Sequence, residues 1–449
     1  MNIKHNGEVA IMAMESRKNV EPSMESEFYF QWHITERCNW RCKHCYHEGY
    51  TPDGELTSAQ LQDVITKMEH ALNAWGKVAA VSITGGEPWI RADDVKGIID
   101  RLEASPFFSR VDLLTNGSML DDAACNYLAS KKILRRVQVS VEGSTPEKND
   151  AIRGEGSFNK IISAIRQLVK HKINVGVMMT IAEYNYDDVI NTLEMLSKEG
   201  VETFALERFM PTGQSAKQRE KTLSAEHVKE TFSKLNAWAR NNRAPRALQY
   251  RPLFCMLEDD IHVGAMCSVG ENALTILHDG TILPCRRLPM PLGNILRDNL
   301  IQLWAESPVL WQVRRPSGLN AKCGHCPDIA QCRGCRAMAL AVTGDWLAAD
   351  PHCWRTVDKT DYIGPRLKNT VRLVWPQHTD IHFAYSTSTG ESLELEEPVF
   401  IALQLMDGYH LIKDVALKLQ NASGCTREEA ESGIKEIVQQ LDEMGFIEH

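Results

Sequence analysis

The chain has 449 residues, room for about three domains at roughly 150 residues each. Apolar residues are 43% and charged residues 24%, the balance of an ordinary globular protein, and no apolar run is long enough to span a bilayer, which argues against a membrane protein. The net charge of −9 argues against a nucleic-acid partner, because phosphate contacts need clustered Lys and Arg.

Residues 1–26 show no sustained periodicity and read as a mobile N-terminal segment. They lack the continuous apolar core of a secretion signal, which points to the cytoplasm. A repeating pattern fills 27–242. Phe28 to Ile34 is rich in aromatic and β-branched residues and predicts a strand. A helix follows, with Leu61, Val64, Ile65, Met68 and Leu72 on one face and a capping box at Thr57 and Gln60. Further strands are expected at Val78–Thr84, Val111–Thr115, Arg136–Val141, Val175–Ile181 and Thr203–Phe209. Between the fourth and fifth of the six, Phe158, Ile161, Ile162, Ile165 and Val169 mark an amphipathic helix. Six strands alternating with helices predict an α/β fold with parallel pairing, either a partial (β/α)6 barrel or a doubly wound sheet. In both, the loops after the strands form the functional rim.

Residues 250–358 differ. The stretch from Arg251 to Asp358 holds eight cysteines, many turns and little periodicity, and is expected to be held together by metal. Residues 369–449 are periodic again. Short strands at Val371–Trp375, Ile381–Tyr385 and Ser392–Leu395 precede helices, the last capped by Thr426 with Glu429, which predicts a small α+β domain.

Thirteen cysteines in a chain read as cytoplasmic suggest metal ligands rather than disulfides. Cys38, Cys42 and Cys45 form C-x3-C-x2-C in the loop after the first strand. Three thiolates there suit three irons of a 4Fe–4S cube, leaving the fourth iron for a small molecule. The spacing alone also allows a zinc site completed by His44 or His47. Gly85-Gly86-Glu87-Pro88 ends the second strand. By itself it is a turn, but its glycines let backbone approach a ligand closely, where Glu87 or a nearby carbonyl can accept from a ligand ammonium. Cys125 and Cys425 lie in helical patterns and read as small buried hydrophobes.

Taken together, the cysteine loop with Tyr46, the Gly-Gly-Glu motif, and the motifs after the later strands resemble the radical SAM superfamily over about Phe28 to Gly213. That resemblance implies a cluster at Cys38, Cys42 and Cys45 that cleaves S-adenosylmethionine (SAM) to a 5′-deoxyadenosyl radical, which takes a hydrogen from substrate. It implies SAM contacts from Tyr46, Gly85, Gly86, Glu87, Asn116, Ser140, Glu142, Arg153 and Arg208, with Ser140 or Glu142 on the ribose and Arg153 on the carboxylate. Cys267, Gly280, Cys285, Cys323, Cys326, Cys332, Cys335 and Cys353 resemble the SPASM domain, although two residues rather than three separate Cys332 from Cys335. The resemblance implies one auxiliary 4Fe–4S cluster on Cys323, Cys326, Cys332 and Cys353. It implies a second on Cys267, Cys285 and Cys335, with Cys255 or substrate as the fourth ligand, so three clusters in all. Structural zinc remains the alternative. In the sulfatase-maturing branch an Asp follows the cysteine matched by Cys285; here it is Arg286, and that branch's base is missing.

Glu397 to Tyr409 and Met444 to Ile447 resemble a peptide-recognition domain, which binds a leader by adding it as a strand to a sheet edge; a winged-helix-like packing module is the alternative. The expected function is a radical SAM enzyme that crosslinks or alters side chains of a ribosomally made precursor peptide, reduced by a flavodoxin or ferredoxin. The alternatives are an enzyme acting on a small molecule such as a haem intermediate, or a non-catalytic iron–sulfur or zinc scaffold. No residue is singled out as the catalytic base.

Overall fold

The computed structural model describes residues 27–242, 244–248, 254–256, 262–264, 267–314, 319, 323, 326, 332–355, 366–374, 381–407, 410 and 412–448. The expected N-terminal segment, Trp375 and the side chain of Cys255 lie outside the described residues.

Six parallel strands follow one another in sequence and in space: β1 (Phe28–His33), β2 (Ala79–Thr84), β3 (Phe108–Thr115), β4 (Leu134–Ser140), β5 (Val175–Ile181) and β6 (Thr203–Arg208). The order never reverses. A doubly wound sheet reverses at its switch point, so this is the barrel-type winding. Helices α1 (Ser58–Trp75), α2 (Ala92–Glu103), α3 (Asp122–Ala129), α4 (Pro146–Arg153), α5 (Ser157–Lys170) and α6 (Val189–Lys198) fill the crossovers, and α7 (Ala225–Asn241) follows β6. The capping box at Thr57 and Gln60 starts α1, whose Leu61, Val64, Ile65, Met68 and Leu72 are buried.

The sheet does not stop at β6. A short β7 (Arg246–Leu248) pairs parallel to β6. At the other edge β10 (Ala273–Ile276) pairs parallel to β1, and β11 (Thr281–Leu283) and β12 (Gly293–Asn294) extend it antiparallel, making ten strands. Between these lies the small ribbon of β8 (Phe254–Met256) and β9 (His262–Gly264). Helices α8 (Leu300–Glu306), α9 (Pro308–Arg314) and α10 (Arg336–Thr343) follow. Leu274, Ile276, Ile282, Ile295, Leu300 and Leu310 join the barrel's own core. The expectation that 251–358 owes its order to metal therefore fails for 273–310, which shares a hydrophobic core with the barrel.

The chain ends in antiparallel structure. A three-stranded meander, β14 (Val371–Val374), β15 (His382–Ser386) and β16 (Ser392–Leu395), packs on α11 (Glu397–Leu403), α12 (Ile412–Ser423) and α13 (Arg427–Glu443). β13 (Arg366–Leu367) pairs with β17 (Ile447–Glu448) beneath it. A separate core of Ala384, Leu403, Ile434, Leu441 and Phe446 holds this unit together. The capping box of Thr426 and Glu429 is present. Cys425 is not in a helix: α12 ends at Ser423, Gly424 turns at φ 73°, and Thr426 caps α13, leaving Cys425 half-buried in the connector. No helix among the described residues is long and apolar enough to cross a membrane.

Candidate functional site

The loop after β1 carries Cys38, Cys42 and Cys45, and the ends of the next three strands are stitched to it. The Gly86 N–H donates to the Thr35 carbonyl at 2.9 Å and the Glu87 N–H to the Arg37 carbonyl at 2.8 Å. A Cβ on Gly86 would lie 2.2 Å from the Arg37 carbonyl oxygen, and one on Gly85 2.4 Å from that of Thr35. The space these glycines vacate is thus filled by the backbone leading into the cysteine loop, not kept clear for a ligand. Glu87 is wholly buried. Its oxygens accept from Trp89 N–H (3.0 Å), Thr115 Oγ1 (2.8 Å) and Asn116 N–H (2.7 Å). Burial raises its pKa despite these bonds. Its carboxylate therefore ties the end of β2 to the end of β3.

Asn116 continues the chain of contacts. Its Nδ2 donates to Asn39 Oδ1 at 2.8 Å and lies 3.9 Å from Cys38 Sγ, while Oδ1 accepts from Ser118. After β4, Glu142 is buried and holds two side chains: Arg153 through Nε (3.2 Å) and Nη2 (2.7 Å), and His44 through Nε2 (3.1 Å). Its other oxygen accepts from Thr180 N–H at 2.7 Å. Burial opposes ionisation, but His44 and Arg153 outweigh it and lower its pKa. Arg153 Nη1 is left facing Cys42 Sγ at 3.8 Å. Glu142, expected on the ribose, is occupied as the anchor of Arg153; Arg153, expected on a carboxylate, spends two donors on that anchor. Ser140 ends β4, paired with Met178 and half-buried.

The three thiols sit within one another's electrostatic reach. Burial pushes Cys42 up to about 11, with Arg153 opposing it, so ionisation at neutral pH calls for a bound cation. N–H donors approach two of the sulfurs, from Trp40 (3.5 Å) and Asn116 on Cys38 and from Arg153 on Cys42. Such donors stabilise thiolate, and the set fits an iron–sulfur cluster. Among the described residues, no three His, Cys, Asp or Glu side chains converge on a single-ion position.

Tyr46 follows Cys45. Its ring tilts on that of His47 at 4.6 Å, the Arg286 guanidinium lies 5.0 Å from its centroid, and burial pushes its phenol up to about 12. Gly213, at φ 62°, lets the loop after β6 close on the Tyr46 carbonyl. Arg208 does not face the cysteine loop's thiols. It is buried in a two-pronged pair with Asp350, Nη1–Oδ1 3.0 Å and Nη2–Oδ2 3.1 Å.

In the second system, Cys267, Cys285 and Cys335 are mutual electrostatic neighbours; burial first, then Cys285, pushes Cys267 up to about 12. Cys323 and Cys353 form a second neighbourhood. Cys326 joins it through its N–H on the Cys323 carbonyl, and Cys332 precedes the buried Arg333. Arg333 donates to the carbonyls of Val313 and Cys267, filling the shortened spacing between Cys332 and Cys335. Asp350, which accepts from Cys335 N–H at 2.8 Å, was not singled out by the sequence, nor were Glu36, His33 and His278; none stands in a recurrent spacing.

Residues 32–196 match the profile of the radical SAM superfamily, and residues 267–336 that of an iron–sulfur cluster-binding domain of SPASM type. The AdoMet-dependent heme synthase of Methanosarcina barkeri is 28% identical over 341 residues, 72% of this chain and 95% of that protein. The mycofactocin maturase MftC of Mycobacterium ulcerans is 28% identical over 348 residues, 74% of this chain and 89% of its own. In fold, the chain is similar to SuiB of Streptococcus suis bound to its precursor peptide SuiA, with a TM-score of 0.60 and 15% identity, covering 74% of this chain and 76% of that one.

Proposed function

The chain belongs to the radical SAM superfamily, with a SPASM-type iron–sulfur region behind its barrel, and from that premise we propose that it modifies a ribosomally synthesised precursor peptide. The observation that carries this reading is the C-terminal unit. The heme synthase and MftC alignments cover 72% and 74% of this chain, so this chain holds structure beyond what either relative matches. Its meander β14-β15-β16 has two outer edges, each with backbone groups that no strand takes up among the described residues. An extended leader peptide adds to such an edge as a further strand.

In this reading Cys38, Cys42 and Cys45 hold the SAM-binding cluster. Cys267, Cys285 and Cys335 hold the inner auxiliary cluster, with Cys255 or substrate as its fourth ligand, and Cys323, Cys326, Cys332 and Cys353 hold the outer one. When bound, the first cluster and SAM supply the reductive cleavage that yields a 5′-deoxyadenosyl radical. The protein's part is positioning. Glu87 fixes the ends of β2 and β3 beneath the cysteine loop. Asn116 and Arg153 offer N–H groups to its thiolates, and Glu142 holds Arg153 and His44 in place. Gly85, Gly86, Ser140 and Tyr46 line the rim where SAM would lie, and Arg208 acts at one remove by clamping the auxiliary region. A flavodoxin- or ferredoxin-type protein would supply the electron.

The heme synthase likeness favours a second reading, a tetrapyrrole-like small molecule as substrate. The test is anaerobic incubation of the reconstituted full chain with SAM, dithionite and candidate precursor peptides, read by mass spectrometry. A peptide mass change that stops when residues 369–449 are deleted, with deoxyadenosine release persisting, supports the peptide reading. Modification that survives the deletion removes the role given to the C-terminal unit.

A further inference from the structure

Arginines near the auxiliary cysteines find carboxylate partners. Arg208 pairs with Asp350, Arg286 with Glu36 at 3.3 Å, Arg287 with Glu207, and Arg333 with Glu271 at 3.1 Å. Arg336 differs. It is 6% exposed, yet no Asp or Glu among the described residues lies within ion-pair distance of it. Its Nη1 donates to the carbonyls of Trp346 at 2.9 Å and Ala348 at 2.8 Å, and its Nη2 lies 3.8 Å from Cys323 Sγ. The two carbonyls satisfy donors but bring no counter-charge.

Its place in the fold makes that charge harder to hold. Arg336 opens α10, where the free backbone N–H groups already present partial positive charge, so a cation there stands at the unfavourable end of the helix. A guanidinium stays charged in proteins, and a buried charge is kept only where something opposite meets it. Asp350 is committed elsewhere: its oxygens accept from Arg208, from Cys335 N–H and from His352 N–H. Room for Arg336 is made by Gly334. This glycine stands at φ 60°, and a Cβ on it would lie 2.6 Å from Arg336 Nη2 and 3.0 Å from Asp350 Cβ. The Asp350 N–H reaches the same sulfur, 3.5 Å from Cys323 Sγ. Two donors, one of them charged, therefore converge on Cys323, itself 7% exposed.

The missing negative charge is supplied by whatever group Cys323 belongs to. Metal binding takes cysteine as thiolate, and four thiolates outweigh the positive charge of an iron–sulfide core. Each added electron makes such a group more negative. A fixed cation beside it therefore favours the reduced form, and net charge and donors on the sulfurs are what set a cluster's potential. We propose that Arg336 is the built-in counter-ion of the outer auxiliary cluster and raises that cluster's reduction potential. This deepens the function proposed above and rests on its assignment of Cys323, Cys326, Cys332 and Cys353 to one cluster. Arg336 acts through Cys323, which makes it a positioning residue rather than a catalytic one.

The test is a redox titration of the full-length, anaerobically reconstituted protein, followed by electron paramagnetic resonance. Cys38→Ala, Cys42→Ala and Cys45→Ala together remove the signal of the SAM-binding cluster. Of the two auxiliary waves that remain, the one lost on adding Cys353→Ala is the outer. In Arg336→Gln, which keeps an N–H donor but no charge, the reduced-to-oxidised ratio of the outer cluster at a fixed potential should fall at least about tenfold, or about 59 mV for a one-electron couple. The inner wave should move less. Arg336→Lys keeps the charge and should keep most of the parent potential, an ordering that a mere brace on Trp346 and Ala348 would not give. Should Arg336→Gln fail to load the outer site, read as iron per chain, loading in Arg336→Lys supports the counter-ion. Failure of both variants to load shows that the fork and not the charge is needed, and overturns it. An unmoved outer wave in loaded Arg336→Gln, or equal shifts in the Gln and Lys variants, also overturns it. A parent protein that binds zinc or shows no outer wave refutes the cluster assignment itself, and the counter-ion falls with it.

Discussion

Replacing Asp350 with Asn should loosen the attachment of the auxiliary-cysteine region to the barrel more than any other single polar substitution at that junction. Arg208 and Asp350 are 1% and 0% exposed, and the pair is two-pronged at 3.0 and 3.1 Å. Asp350 also accepts from Cys335 N–H at 2.8 Å and His352 N–H at 3.0 Å. Burial opposes its charge, but Arg208 outweighs burial and holds the carboxyl well below the usual range. Neutralising Asp350 takes the two-pronged carboxylate partner away from a buried guanidinium, which costs about 3–5 kcal/mol. At roughly 2–4 °C per kcal/mol for a folding unit of 150–250 residues, the melting midpoint should fall by about 6–20 °C. Removing both charges, with Arg208→Met and Asp350→Leu together, should recover most of the loss, because the penalty lies in keeping a buried charge without its carboxylate rather than in the missing attraction. Denaturant titration of the wild type, both single variants and the double variant gives the coupling energy. A loss below about 1 kcal/mol in Asp350→Asn, or a double variant no better than the singles, would show that the pair is relaxed by water or neighbours and is not a clamp.

Two further outcomes follow from the same geometry. Gly86→Ala places a Cβ 2.2 Å from the Arg37 carbonyl oxygen and 2.7 Å from that of Glu36, both backbone atoms that yield only by moving the cysteine loop. It should cost at least about 1–3 kcal/mol and lower iron incorporation, read as iron per chain and visible absorbance after reconstitution; full iron loading would show that the loop accommodates the methyl group. His352 is fully buried, and burial, then Arg208, brings its pKa down to about 3. The unfolded chain takes up this proton near pH 6.5, so the contribution is complete above that pH and is lost as pH falls, by up to about 1.4 kcal/mol per unit. Asp350, also depressed, adds its own loss below about pH 4. Denaturation midpoints from pH 7 to 4.5 should therefore fall less steeply in His352→Asn than in the wild type, and parallel slopes would refute the assignment.

Much of this was legible in the chain because it is carried by local pattern. The strands β1 to β6, the capping boxes at Thr57 and Thr426 and the two cysteine systems depend on neighbours in sequence. What escaped depends on pairing across distance. Whether six β/α units wind one way or two is decided by strand order, which no single unit encodes. That Glu142 is committed to Arg153 and His44, and Arg208 to Asp350 across 142 residues, is equally invisible to spacing. The Gly-Gly-Glu motif shows the limit from the other side: its glycines stand where spacing places them, and their open faces meet the backbone of Thr35 and Arg37. Cys425 read as helical because apolar periodicity runs through it, and the turn at Gly424 outweighs that periodicity.

The parallel pairing of β10 with β1 has a consequence for assembly. Tyr29 to Trp32 lie in register with Ala273 to Ile276, and the turn that follows brings Cys285 and Arg286 back over the residues after β1, where Arg286 meets Glu36. Position of Cys285 is thus set by backbone hydrogen bonds and by Leu274, Ile276 and Ile282, each worth about 1.5–3 kcal/mol of burial. Among the described residues, the Cys323 side rests on a smaller cluster, Leu319 and Cys323 with Leu347 and Ala349 against it. Protein stripped of iron by a chelator should therefore keep slow amide exchange over 273–283 while the segment around Cys323 and Cys326 exchanges much faster than in the loaded form. Hydrogen-exchange mass spectrometry of the two forms decides the matter. Equal loss of protection in both segments would mean that metal organises the whole auxiliary region, and that the extended sheet is a consequence of loading rather than the scaffold for it.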